Sequence, residues 1–110
     1  MDRPDLVIIE SPYAGDVEKN VAYARRCLKD SLLRGEAPIA SHLLYTQPGV
    51  LDDTVPDERR LGIEAGLAWG RVANVTAVYI DLGISTGMRM GIARARDEGR
   101  RVVYRKIGAA

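Results

Sequence analysis

The sequence predicts an α/β fold, a three-layer α/β/α sandwich around a parallel sheet with strand order 2-1-3-4. Three observations carry that prediction. Short apolar runs and amphipathic stretches alternate as β-α-β-α-β-α-β, and right-handed crossovers turn such a pattern into a covered parallel sheet. The first run, Leu6-Val7-Ile8-Ile9, is continuously apolar, as expected of a strand buried on both faces. No period of 20–50 residues repeats and no low-complexity linker divides the chain, so residues 1–110 are expected to form one domain.

Each element has its own local signals. Ser11-Pro12-Tyr13-Ala14-Gly15 breaks the first strand. Asp16 is placed to cap a helix whose expected inner stripe is Val17, Val21, Ala24, Leu28 and Leu32, with Gly35 as its stop. Pro38-Ile39-Ala40-Ser41 reads as a short second strand, and His42 to Asp53 as a long loop with polar groups. Pro56 opens the second helix, with Thr54 or Val55 as its cap and Leu61, Ala65, Ala68 and Val72 as its expected stripe. Thr76-Ala77-Val78-Tyr79-Ile80 is the third strand. Ser85 caps the third helix, whose inner positions are Met88, Ile92 and Ala95. Gly99 ends that helix before the last strand, Arg101-Val102-Val103-Tyr104.

Composition narrows the function classes. The 110 residues are 46% hydrophobic and 28% charged, an ordinary globular balance. Sixteen Lys and Arg against 15 Asp and Glu give a net charge of +1, without the basic excess of a general nucleic-acid binder. No apolar run approaches the roughly 20 residues that cross a bilayer, and the first residues lack the apolar segment of a signal peptide. A single Cys, Cys27, forms no internal disulfide and fits a reducing, cytoplasmic setting. One Cys and one His make no structural zinc site, and no metal is expected.

In an open parallel sheet, ligands bind beyond the carboxyl ends of the strands at the switch point, here between the first and third strands. Two segments meet there: Glu10 to Asp16 and Asp81 to Gly87. Asp81-Leu82-Gly83-Ile84-Ser85-Thr86-Gly87 leads into a helix N-terminus, where free amides and hydroxyls suit a phosphate; the same residues also suit a plain capped helix. Tyr13 is placed to wall or stack on a base, and the same turn also reads as a Pro- and Gly-shaped connection. No GxGxxG or GxxxxGK[ST] pattern occurs, which argues against a dinucleotide site and a P-loop. His42 stands alone, without a nucleophilic partner visible in the sequence. Gly62 and Gly66 permit close backbone approach, within the fold or across a dimer, and Trp69 suits a core or an interface.

Ser11-Pro12-Tyr13-Ala14-Gly15 after the first strand and Asp81-Leu82-Gly83-Ile84-Ser85-Thr86-Gly87-Met88 after the third resemble the nucleoside 2-deoxyribosyltransferase superfamily, in its small branch common in phages and bacteria. The resemblance spans roughly Leu6 to Arg105. It implies a flavodoxin-like sandwich, no cofactor or metal, a homodimer or larger homo-oligomer, and a nucleoside or nucleotide ligand. In the superfamily pattern Ser-x-Gly-x-x-x-Glu, the Glu attacks the anomeric carbon; here Ser85 and Gly87 match and Gly91 replaces the Glu. The resemblance assigns phosphate contacts to Ser85 and Gly87, to which the hydroxyl of Thr86 adds a further expected contact, base and sugar walls to Ser11, Tyr13 and Gly15, and a sugar contact to Asp81. The favoured expectation is therefore a protein that binds a nucleotide or a molecule derived from one, without turnover. The alternative is a nucleoside 5′-monophosphate N-glycosidase or deoxyribosyltransferase using a relocated carboxylate at Glu10, Asp53, Glu64 or Asp81. No catalytic residue is assigned.

Overall fold

A computed structural model describes residues 3–108. The elements run β1 (Leu6–Glu10), α1 (Val17–Leu33), β2 (Ala37–Ile39), α2 (Ser41–Leu44), α3 (Pro56–Gly70), β3 (Val75–Tyr79), α4 (Thr86–Asp97) and β4 (Arg101–Arg105). All four strands are parallel, in the order β2-β1-β3-β4. This is the expected sandwich. The stretch expected to be a loop from His42 contains the short helix α2, and Ser41, assigned to the second strand, opens that helix.

β1 feeds two different environments. Val7 and Ile9 point to the α1 side and pack with Tyr23, Cys27, Ala40, Val75, Ala77 and Tyr79. On the other side, Val78 packs with Met88 and Ile92 of α4. Ile8 and Glu10 face a less filled space beneath α3. Alternation along a strand places these residues on opposite faces of the sheet.

The caps fall where local chemistry puts them. The Asp16 side chain accepts from the Lys19 amide, and the Ser85 side chain accepts from the Met88 amide. Gly35 and Gly99 take positive φ, 83° and 70°, just beyond α1 and α4. Met88, Ile92 and Ala95 are buried as expected.

Two helices turn a different face inward from the one their aliphatic residues predict. On α1 the buried residues are Asn20, Tyr23, Ala24, Cys27 and Ser31, while Val17 and Leu32 are exposed. The polar members have partners: Asn20 Nδ2 donates to the carbonyls of Tyr13 and Ala14, Tyr23 Oη donates to Asp81, and Ser31 Oγ donates to Glu36. Buried polar atoms with partners avoid the desolvation penalty that otherwise keeps them out. On α3, Leu61 is exposed, and Val72, expected in the same stripe, lies beyond the end of the helix and is exposed too. Its inner face instead carries Ile63, Gly66, Leu67 and Gly70. A Cβ at Gly66 would lie 2.7 Å from Ser41 Oγ, and one at Gly62 would lie 3.3 Å from Leu51 Cδ1. The close approach these glycines allow is thus made inside the fold. Trp69 is half exposed and its Nε1 donates to Tyr45 Oη at 2.7 Å.

A polar clasp ties the last strand to the first half of the chain. Arg105 donates to both Glu36 oxygens, at 2.8 and 2.7 Å, and to Tyr79 Oη at 3.1 Å. Tyr79 Oη in turn donates to Asp30. The two charged side chains are only 11% and 16% exposed. Removing one partner of such a pair strands the other, so Arg105→Ala is expected to cost about 3–5 kcal/mol, read by urea denaturation. The hydrogen bonds from Arg105 hold the Glu36 carboxyl below its ordinary range. Its contribution is therefore present above the unfolded value of 4.5 and is lost as pH falls through the lower folded value. Glu36→Gln is expected to flatten that acid limb, and an unchanged limb would contradict the assignment.

Candidate functional site

β1 and β3 are neighbours whose following helices pass to opposite faces of the sheet. Their carboxyl ends are left open, and a cleft of about 300 Å³ lies there. The turn after β1 forms one wall. Ser11 and Pro12 are buried, and Gly15 takes φ 103° to lead into α1. Asn20 pins the turn through its bonds to the Tyr13 and Ala14 carbonyls, at 2.9 and 3.1 Å. The N-terminus of α4 forms the facing wall with Ser85, Thr86, Gly87 and Met88. Ser85 Oγ serves the Met88 amide at 3.2 Å. The amides of Thr86 and Gly87, at the first two helical positions, have no intrahelical acceptor.

α2 and α3 close the third side. Ser11 Oγ and His42 Nε2 share a hydrogen bond at 2.7 Å. The Tyr13 and His42 rings meet edge to face at 6.4 Å. Burial pushes the His42 pKa down to about 4. The imidazole is neutral at pH 7 and acts as a hydrogen-bonding group, not as a counter-ion. At the mouth, Asp53 pairs with Arg59 at 2.8 Å, and Glu58 accepts from the Asp52 amide at 3.0 Å. A shallower hollow of about 410 Å³ adjoins this mouth along residues 46–53 and shares Tyr13 and Asp53 with it.

Five residues singled out from the sequence therefore line the cleft: Ser11, Tyr13, Ser85, Thr86 and Gly87. Two do not line it. Gly15 sits on the exposed side of its turn. Asp81 turns toward α1, where it accepts from Tyr23 Oη at 2.6 Å and from the Ile107 and Gly108 amides at 3.0 and 2.9 Å. Of the four carboxylates considered for a relocated role, Glu10 and Asp53 line the cleft. Glu64 is exposed on α3. His42 gains in the structure the hydroxyl partner that the sequence, with the two 31 positions apart, does not reveal.

Glu10 is the unusual group. It closes β1, largely enclosed, and no hydrogen bond reaches its carboxyl among the described residues. Burial raises its pKa to about 8, against a smaller opposing effect of Arg100. Arg100 is itself held by Thr76 Oγ1 at 2.9 Å, by Glu98 at 2.8 Å and by the Gly70 carbonyl. Among the described residues, no group of three or more His, Cys, Asp or Glu is placed to hold a metal ion, and no helix is long and apolar enough to cross a membrane.

Fold and cleft together define a small α/β/α domain with a ligand-sized opening at its switch point. Residues 5–105 match the family described as a domain of unknown function, DUF7768, and the chain belongs to that family. No curated protein matches the sequence. A solved 2-deoxyribosyltransferase from the psychrotolerant bacterium Bacillus psychrosaccharolyticus has the same fold, with TM-score 0.65 and 18% identity over 96% of this chain and 75% of that one.

The position of Glu10 has a direct consequence for stability. The folded chain keeps a proton on Glu10 that the unfolded chain releases near 4.5, so between 4.5 and about 8 the folded state binds more protons. That contribution is complete below 4.5 and is lost as pH rises through about 8. Glu10→Gln is expected to raise Tm at pH 9 by several degrees, on the order of a few kcal/mol, with the gap to wild type narrowing toward pH 5. Thermal melts across pH check this, and parallel curves would contradict it.

Proposed function

We propose that the cleft binds a nucleoside 5′-phosphate or a closely related nucleotide. The observation that carries this reading is the meeting of Tyr13 with the open N-terminus of α4 across a cleft of about 300 Å³. The volume lies at the small end of ligand pockets, which run from about 300 to 1,000 Å³. Free amides and the helix dipole favour an anion at Thr86 and Gly87. The Ser85 hydroxyl hydrogen is free to donate, because its oxygen is the atom that caps the helix. Tyr13 offers a base an aromatic surface. The fold shared with a 2-deoxyribosyltransferase described as a biocatalyst for nucleoside synthesis supports the choice of ligand class.

Calorimetry against nucleosides and their 5′-monophosphates tests the reading. The monophosphates are expected to bind, and the matching nucleosides at least tenfold more weakly. Ser85→Ala is expected to weaken binding by about 1–2 kcal/mol. Ser85→Asp keeps a capping oxygen but brings a negative charge to the anion site, and is expected to abolish phosphate-dependent binding while α4 stays folded. No heat from any nucleotide would overturn the reading.

A second reading, cleavage of the bond between base and sugar, is favoured by one specific observation: a proton-bearing carboxyl, Glu10, stands in the cleft wall. Chromatography for free base after incubation with each monophosphate tests it. Bound but intact nucleotide would leave the binding reading alone.

A further inference from the structure

Glu10 lies on the boundary between the cleft and a chamber of about 90 Å³ beneath α3, and it lines both. The chamber is otherwise walled by Ile8, Ile63, Leu67, Thr76 and Arg100, among others. The carboxyl fits because position 91 of α4 carries no side chain. A Cβ at Gly91 would lie 2.0 Å from Glu10 Oε2 and 2.4 Å from Cδ. No real contact is that short, so strand and helix share a single carboxyl-sized space. Gly91 is buried within α4, where glycine costs about 1 kcal/mol of helix propensity relative to alanine. Seating Glu10 there adds a desolvation cost that an apolar residue filling the same space would not incur, so packing alone accounts for neither residue.

We propose that Glu10, seated in the slot that Gly91 opens, is the proton donor that releases the base from a nucleotide bound in the cleft. The proposal rests on the cleavage reading above and assigns its catalytic group. The Glu10 carboxyl gives its proton to the leaving nitrogen of the base as the bond from C1′ to that nitrogen breaks and its electron pair passes to the base. A water molecule bonds to C1′ and returns a proton to the Glu10 carboxylate. The products are free base and sugar phosphate. Among the charged groups around the carboxyl, Arg100 approaches from the turn before β4. His42 of α2 is neutral, and Glu58 and the Asp53–Arg59 pair stand at the mouth. α4 contributes no titratable residue to the cleft lining.

The test uses the whole chain, nucleoside 5′-monophosphates as probes and chromatography for free base, with calorimetry run on the same samples. Wild type is expected to release base, and the isosteric variant Glu10→Gln to release it on the order of 100-fold or more slowly while still binding the nucleotide. In wild type the rate is expected to fall above pH 8, and Glu10→Gln is expected to lack that alkaline limb. Gly91→Ala forces the carboxyl from its slot and is expected to lose activity as well. The exchange variant Glu10→Gly with Gly91→Glu supplies the carboxyl from the helix and is expected to regain at least tenfold over Gly91→Ala. Should Gly91→Ala fail to fold, Glu10→Gln and its pH profile decide alone. Wild type that binds nucleotide without releasing base overturns the cleavage reading and the proposal together. Base release undiminished in Glu10→Gln overturns only the role of Glu10.

Discussion

Everything at the site follows from one constraint of chain topology. β1 and β3 lie side by side, yet the chain leaving β1 packs on one face of the sheet and the chain leaving β3 on the other. No backbone can cover the gap between their ends without crossing a neighbour. The walls are then whatever residues leave each strand: a pinned turn carrying Tyr13 on one side and a helix N-terminus carrying Ser85 on the other. Asn20 fixes the first wall by two hydrogen bonds, and Ser85 fixes the second by capping its own helix.

The electrostatics of the cleft are set by what is not charged. His42 is held neutral by burial, and so is Glu10. Two ionisable groups therefore enter the site uncharged, as hydrogen-bonding groups. The fixed positive character comes from the end of α4, while the mouth carries the compensated pair of Asp53 and Arg59. An anion approaching α4 meets no carboxylate in the inner wall until the pH exceeds about 8.

The sheet was legible from the alternation of elements along the whole chain, and the caps and the buried positions of α4 because their signals are local. Asp16, Ser85, Gly35 and Gly99 each act within one turn of where they stand. The inner face of α1 was not legible in this way. Tyr23 reads as an amphipathic surface residue until Asp81, 58 residues on, supplies its partner. Asp81 illustrates the converse: its position at the end of β3 suggested the cleft, but the amides of Ile107 and Gly108 hold it on the α1 side. The same holds for Ser11 and His42, and for Glu10 and Gly91, whose pairing exists only once β1, α2 and α4 converge.

α3 shows how far hydropathy and constraint can diverge on a single helix. Its bulky Leu61 and Trp69 lie toward water, and its glycines lie toward neighbouring backbone and side chains. Natural variation along this helix should therefore run against intuition, with free drift at the exposed Leu61 and near-fixity at Gly66. A profile of tolerated substitutions would mark the contact face of α3 by what is missing from it.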